Sequence, residues 1–185
     1  PGTVGVPFPS TEIRVVDPAD PDHDREAGEE GELLVRGPQV FSGYWRKPAA
    51  TAETLLPGGW LRTGDIVRVS DDGFVTIVDR VKELIITGGF NVSPSEVEGV
   101  LLRHPDVRGA AVVGLPRASG GEAVAAAVEL RDGAVFDAAA LRELCRSSLT
   151  PYKVPRRIVV IDELPRSLIG RVLRRSVRDG LLERT

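Results

Sequence analysis

The segment from 79 to 98 constrains the fold most, because it joins two regions of different sequence character through a charged turn. It reads DRVKELIITGGFNVSPSEVE, with loops and short alternating apolar patterns before it and helical patterns after it. Ser93 precedes Pro94 and lies three residues before Glu96, which is the spacing of a helix N-cap with proline at the first helical position. We therefore predict two packed bodies connected at this segment, with a helix that begins at Pro94.

The apolar patterns divide the chain into residues 1–80, which read as a small antiparallel β subdomain, and residues 81–185, which read as a compact α+β domain. The elements predicted for the first part are strands at 11–17 and 31–36 around an acidic loop, a short helix from 48 to 55, and strands at 66–69 and 74–78. Those predicted for the second part are a helix at 94–103, strands at 107–114 and 122–130, a helix at 137–148, a strand at 157–161 and a final helix from about 171. The predicted fold class is α+β.

Charge and cysteine content argue against several functions. The net charge is −3 and the basic residues are scattered, so the sequence indicates no surface for nucleic acid. The single cysteine, Cys145, lies in an apolar helical pattern and is interpreted as a small buried residue rather than a reactive thiol. His23 and His104 have no metal-ligand spacing with it or with each other, so no metal site is predicted. No apolar run approaches the ~20 residues that a membrane span needs.

Three further motifs accompany the segment at 79–98, namely GELLVRG followed by GYW at 31–45, LRTGD at 61–65, and LPRSLIGRVLRR at 164–175. In this order they resemble the adenylate-forming enzymes that make acyl-CoA thioesters, and among these the long-chain fatty acyl-CoA synthetases. The resemblance runs from Pro1 to near Arg178. The phosphate-binding loop and the acid pocket of that family are not recognisable, so we expect the chain to be the C-terminal third of a larger enzyme.

The resemblance implies an acid–thiol ligase whose partners are a fatty acid or other carboxylic acid, ATP and CoA. A fatty acid and ATP would give acyl-adenylate and pyrophosphate, and the CoA thiol would then displace AMP. Mg²⁺ would be held through ATP and upstream residues rather than by a cage in this chain. The expected location is cytoplasmic, and peripheral membrane association of the full-length enzyme stays open. Medium-chain, aryl and dicarboxylic acids also stay open as substrates.

Asp65 and Arg80 are the candidate nucleotide-binding residues. Asp65 follows Thr63 and Gly64, where glycine lets the backbone come close to a ligand, although the same sequence also suits a simple turn. Arg80 follows Asp79 at a strand end, a pattern that also suits a surface ion pair. The resemblance implies that Asp65 binds the ribose hydroxyls and that Arg80 lies beside the ribose and phosphates.

Lys82 and the residues after it are assigned by the same resemblance. Lys82 would be the hinge about which the C-terminal domain rotates between an adenylating and a thioester-forming arrangement, the alternative being a solvated linker lysine. Gly88, Gly89 and Phe90 would line the channel for the pantetheine arm of CoA, since glycine leaves no side chain between backbone and ligand. Loop glycines at the end of a strand are the alternative interpretation of that pair.

Arg171 is the main departure from the family pattern, because it stands where the resemblance places a catalytic lysine. That lysine would contact the substrate carboxylate and the α-phosphate during adenylation. Guanidinium keeps the charge but is planar and directionally fixed, so we expect weakened adenylation and a thioester step that suffers less.

We therefore interpret the chain as the C-terminal part of an ATP-dependent fatty acid–CoA ligase. One alternative is an adenylation domain that loads a carrier protein, against which the GGFNV form of the glycine segment argues. Another is a non-catalytic interaction or regulatory fragment, which Arg171 favours. The fragment by itself is expected to be inactive, because catalysis depends on groups that position ATP and acid.

Overall fold

The structure is a computed structural model that describes residues 2–184. Its contacts divide the chain into two compact units, one up to Lys82 and one from Glu83 onward. Both units contain sheet and helix, and the predicted α+β fold class is confirmed. The sequence-based boundary fell between residues 80 and 81, and independent movement of the two units stays a prediction.

The first unit is an antiparallel sheet built around one long strand. Its elements are β1 (Glu12–Val16), β2 (Glu30–Arg36), α1 (Pro48–Thr54), β3 (Leu55–Leu56), β4 (Trp60–Val69) and β5 (Val75–Arg80). Strand β4 pairs with β2 along one edge, and with β3 and β5 along the other. Apolar side chains such as Val16, Leu34 and Val67 are fully buried in this unit, which fixes the register of the sheet.

The second unit is a three-stranded sheet covered on both faces, preceded by a hairpin. Its elements are β6 (Ile85–Thr87), β7 (Phe90–Val92), α2 (Pro94–Leu101), β8 (Val107–Pro116), β9 (Glu122–Leu130), α3 (Ala138–Ser148), β10 (Arg157–Val160) and α4 (Arg174–Glu183). The central strand β9 pairs antiparallel with β8 and parallel with β10. Strands β8, β9 and β10 and helices α2 and α3 confirm the strands predicted at 107–114, 122–130 and 157–161 and the helices predicted at 94–103 and 137–148.

Alternation along β8 and β9 builds two cores, one on each face of the sheet. Val112 and Val128 lie in the core that includes α2, α3 and the β6–β7 hairpin. Ala111 and Ala127 lie in the core that includes Val177 of α4. Because both faces of the strands are buried, small β-branched and alanine side chains occur in nearly continuous runs.

Two parts of the second unit differ from the sequence-based prediction. The β6–β7 hairpin was not predicted, because strands of three residues are too short to show an alternating pattern. The final helix was expected from about 171 but begins at Arg174. The helix cannot start earlier because Arg166 and Val172 form an antiparallel bridge across a tight turn, and the Leu173 N–H bonds to the carbonyl of Pro165.

Candidate functional site

Thr63, Gly64 and Asp65 form an irregular segment in the middle of β4. The pairing of β2 with β4 skips these residues, since Leu34 faces Arg62 and Glu32 faces Ile66. Gly64 has a φ of +71°, a left-handed conformation that glycine adopts without steric cost. The Thr63 hydroxyl donates to the carbonyl of Leu33 at 2.8 Å and accepts the Asp65 N–H at 3.1 Å, so the bulge is held from both sides.

This bulge sets Asp65 directly opposite Arg80 in the pairing of β4 with β5. Arg80 Nε lies 3.0 Å from Asp65 Oδ1, with the arginine side chain 50% exposed and the aspartate 20% exposed. The N–H is not directed at this oxygen, and Oδ1 is buried and accepts no hydrogen bond from residues 2–184. A buried carboxylate oxygen without a donor is costly, and a hydroxyl of a bound ligand could satisfy it.

The ion pair between Glu32 and Arg62 stabilises the bulge. Glu32 is 2% exposed, and its carboxylate accepts from Arg62 Nε at 3.1 and 3.2 Å and from Arg62 Nη2. Its Oε1 also accepts the N–H of Gly64 at 3.3 Å. The hydrogen bond to Glu32 raises the pKa of Arg62, which keeps that guanidinium charged. Sequence reasoning did not single out this pair, although Glu32 and Arg62 lie inside the quoted GELLVRG and LRTGD motifs.

In the second unit, Gly88 and Gly89 form the two-residue turn of the β6–β7 hairpin. Their φ angles are +59° and +84°, the left-handed pair that a type I′ hairpin turn requires. A Cβ placed on either glycine would meet no atom within 4 Å in residues 2–184. The backbone conformation therefore explains why glycine fits here, and the space around the turn is open to a ligand.

Phe90 follows this turn, is 54% exposed as a residue, and stacks on Tyr152. The two ring centroids lie 4.5 Å apart with an interplanar angle of 18°. Lys153 Nζ binds the carboxylate of Glu96 at 2.6 and 2.8 Å, which ties the segment after α3 to the start of α2. The stack fixes the Phe90 ring at the base of the glycine turn, and nothing in the sequence pattern signals this partner.

Arg171 lies at the end of a tight loop that begins at Ser167. Its N–H donates to the Ser167 hydroxyl at 3.2 Å, and its carbonyl accepts the Ser167 N–H at 2.8 Å. The side chain is 62% exposed, and its Nη2 lies 3.5 Å from Oε1 of Glu83. The guanidinium is thus presented to solvent on a defined loop.

Lys82 is exposed and lies in a short 3₁₀ turn, Val81–Glu83, at the division between the two units. Cys145 is fully buried in α3, and burial raises the pKa of its thiol to about 11, which agrees with the predicted structural role. Residues 2–184 hold no cluster of three or more histidine, cysteine or carboxylate side chains arranged to bind a metal. Nor do they include a helix long and apolar enough to span a bilayer.

Comparison with protein families gives two matches along the chain. Residues 1–45 match the AMP-binding enzyme family, and residues 96–171 match the AMP-binding enzyme C-terminal domain. The second match contains the whole three-stranded sheet, most of α2, all of α3 and the loop that ends at Arg171, and α4 lies outside it.

Individual relatives match almost the whole chain. The long-chain-fatty-acid–CoA ligase of Salmonella typhimurium is 49% identical over 178 residues, 96% of this chain and 31% of that enzyme. The 2-succinylbenzoate–CoA ligase of Geobacillus kaustophilus is 46% identical over 177 residues, 96% of this chain and 35% of that enzyme. The ATP-bound structure of MatB from Rhodopseudomonas palustris is 38% identical with a TM-score of 0.87, covering 97% of this chain and 36% of that one. The chain thus spans about a third of its relatives' length.

Proposed function

Because this chain belongs to the AMP-binding enzyme family, we propose that it is part of an ATP-dependent acid–CoA ligase. The enzyme would convert a carboxylic acid and ATP to acyl-adenylate and pyrophosphate, and then transfer the acyl group to the CoA thiol with release of AMP. The relatives at 49% and 46% identity are named CoA ligases, which supports CoA rather than a carrier protein as the acceptor. The supply of ATP and CoA makes the cytoplasm the expected location.

The observation that carries the proposal is the unsatisfied oxygen of Asp65. A nucleoside offers two adjacent ribose hydroxyl donors, and the buried Oδ1 of Asp65 lacks a donor within residues 2–184. Arg80, half exposed beside it, keeps guanidinium N–H groups for further oxygens of the nucleotide. The bond from the Gly64 N–H to Glu32 holds the bulge, and strand pairing holds the backbone of Asp65 opposite Arg80, so little backbone ordering is needed when a ligand binds.

Mg²⁺ is assigned to ATP and to residues outside this chain. Hard cations of this kind are held through nucleotide phosphates with one or two carboxylates, so a dedicated cage is not required.

The glycine turn at 88 and 89 is the proposed wall for the pantetheine arm of CoA, with Phe90 at its base. Open space around both glycines and the fixed ring of Phe90 support this assignment. The two arrangements that the half-reactions need would be reached by rotation at Lys82, where the two compact units divide. Arg171 would then act in adenylation from its solvent-exposed loop.

A long-chain fatty acid is the proposed acid. Relatives named for a long-chain fatty acid and for 2-succinylbenzoate match this chain at similar identity, which supports an acid pocket outside these residues. The competing function is a non-catalytic fragment, which the arginine at position 171 favours.

The test is Asp65→Asn in the full-length enzyme, assayed by ATP–pyrophosphate exchange. Loss of a charged acceptor for ribose hydroxyls should raise the KM for ATP by about 10–100-fold, since hydrogen bonds to charged groups contribute ~1.5–3 kcal/mol. Asp71→Asn, in the exposed turn after β4, is the matched control and should leave the KM unchanged. Equal KM values for the two variants would exclude Asp65 as the ribose ligand.

A further inference from the structure

One partly buried arginine, Arg174, joins separate parts of the second unit. Its Nε donates to Glu98 Oε1 at 2.9 Å, and its Nη2 donates to Glu98 Oε2 at 2.7 Å and to the Ser95 hydroxyl at 2.8 Å. Its Nη1 donates to Oε2 of Glu83. Arg174 is 20% exposed and Glu98 is 15% exposed, so this network is largely shielded from water.

The partners of Arg174 lie on elements that the fold holds in place. Ser95 and Glu98 belong to α2, and Glu98 Oε1 also accepts the N–H of Val112 in β8 at 2.9 Å. Arg174 itself is the first residue of α4. The guanidinium of Arg174 therefore has a fixed position, because Arg174 begins α4 and its partner Glu98 in α2 is itself bonded to β8.

Glu83 is the partner whose position matters for function. It is the first residue of the second unit and follows Lys82 directly. Its two carboxylate oxygens are shared, Oε2 by Arg174 and Oε1 by Arg171 at 3.5 Å. Glu83 thus ties the point where the unit begins to the loop that carries Arg171.

The two arginines around Glu83 differ in how easily they can leave. Arg171 is 62% exposed and lies 3.5 Å from Glu83, and exposed ion pairs of this kind contribute little to stability. Arg174 is 20% exposed and holds several charge-assisted hydrogen bonds. Arg171 can therefore leave Glu83 to reach a substrate, while Arg174 keeps Glu83 in place.

We propose that Arg174 is a positioning residue that fixes Glu83, so that rotation is confined to Lys82 and the Arg171 loop moves as part of a rigid unit. This inference rests on the proposed function. Both half-reactions need the second unit placed accurately, and a loosened junction would lower the turnover of each. The described side-chain partners of Arg174 are Glu83, Ser95 and Glu98, and none of these three is a proposed ATP or CoA residue, so the KM values should hardly change.

The first experiment uses the full-length enzyme with adenylation and CoA transfer measured separately. Arg174→Ala should lower kcat in both half-reactions by about tenfold or more, with KM changed by less than about twofold. Arg174→Lys should not restore kcat, because one ammonium cannot bridge both carboxylates and Ser95. Glu83→Gln, which weakens the contacts of Glu83 with Arg174 and Arg171 but leaves the bonds from Arg174 to Glu98 in place, should lower kcat in both half-reactions. Arg175→Ala, an exposed arginine in the same helix turn, is the matched control.

The second experiment tests the junction without relying on catalysis. The 185-residue chain and its variants are treated with a protease that does not cut after basic residues, and the fragments are identified by mass. Arg174→Ala should produce additional cleavage sites on the C-terminal side of Glu83. Arg175→Ala should give the same cleavage sites as the parent chain.

The outcomes separate the two levels of inference. Identical cleavage of Arg174→Ala and Arg175→Ala would overturn the junction role, as would a Glu83→Gln enzyme with normal kcat in both half-reactions. A parent enzyme that lacks both half-reactions would instead overturn the proposed function, and with it the catalytic consequence of the junction.

Discussion

The glycine turn allows a prediction in which the effects on stability and on function can be separated. Gly88 has a φ of +59° and open space around the position of a Cβ, so an added side chain clashes with nothing in residues 2–184. The loss of folding free energy caused by Gly88→Ala then comes only from the left-handed backbone conformation, which costs an L-residue ~1–2 kcal/mol. Asparagine tolerates this conformation in type I′ turns, so Gly88→Asn should cost less than ~1 kcal/mol.

Urea unfolding of the chain measures the first effect, and the CoA half-reaction of the full-length enzyme measures the second. If the turn lines the channel for a thiol ligand, both variants add a side chain where the ligand passes. We expect the rate of acyl transfer to fall by about tenfold or more for Gly88→Asn as well as for Gly88→Ala, because losing ~1.4 kcal/mol of binding is a tenfold change. Adenylation should be unchanged.

Gly73 provides the matched control. It has a φ of +84° and also meets no atom within 4 Å of a Cβ, but it lies in the β4–β5 turn of the first unit. Gly73→Ala and Gly73→Asn should show the same ordering of stabilities and normal acyl transfer. A Gly88→Asn enzyme that transfers acyl groups to CoA at the parent rate would refute the assignment of the turn to the channel.

Three further predictions concern single side chains. Arg171→Lys in the full-length enzyme should raise the adenylation rate by about 10–10³-fold, because it restores one oriented electrostatic contact. CoA transfer from preformed acyl-adenylate should be unchanged. An Arg171→Ala enzyme as active in adenylation as the parent would contradict this role. At Glu129, burial raises the pKa, but hydrogen bonds from Arg108, a backbone N–H and Arg166 outweigh it, so the folded-state pKa is lowered. The stabilising effect of the Glu129 carboxylate is then present above the unfolded-state pKa of about 4.3 and is lost as pH falls through the lower folded-state pKa. Glu129→Gln should therefore lower the stability of the chain to urea at pH 7, and the variant and the parent should be equally stable in strong acid. Cys145, whose pKa burial raises to about 11, should react with a disulfide reagent at pH 8 at least about a hundredfold more slowly in the folded than in the unfolded chain, and equal rates would show that the thiol is accessible.

Local signals explain which elements the sequence predicts. The Ser93 side chain accepts the Glu96 N–H at the start of α2, and Asp137 accepts two N–H groups at the start of α3, so both helix starts are encoded within a few residues. The β6–β7 hairpin has strands too short for a periodic signal, and two adjacent glycines suit many loops. The start of α4 depends on pairing between Arg166 and Val172, which propensity does not report.

The contacts of the candidate site depend on strand register, which a single sequence does not specify. Asp65 meets Arg80 because of two irregularities in the pairing of β4, one with β2 and one with β5. Glu32 and Arg62 are 30 residues apart and meet only in the folded sheet. The roles assigned to these positions came from family resemblance, whereas the buried oxygen of Asp65 is a physical reason that only the coordinates supply.

Comparison of the surroundings of Arg171 and Arg174 indicates whether the fold itself requires an arginine at position 171. Arg174 is shielded and multiply bonded, so the fold of the second unit requires a planar guanidinium at that position. Arg171 is exposed with one 3.5 Å contact that an ammonium could also make, so the fold has no such requirement there. The choice between lysine and arginine at 171 is therefore nearly neutral for stability. A difference in adenylation rate between the parent and the Arg171→Lys enzyme would therefore reflect chemistry at the substrate carboxylate rather than stability. This substitution is a direct test of whether the chain takes part in catalysis.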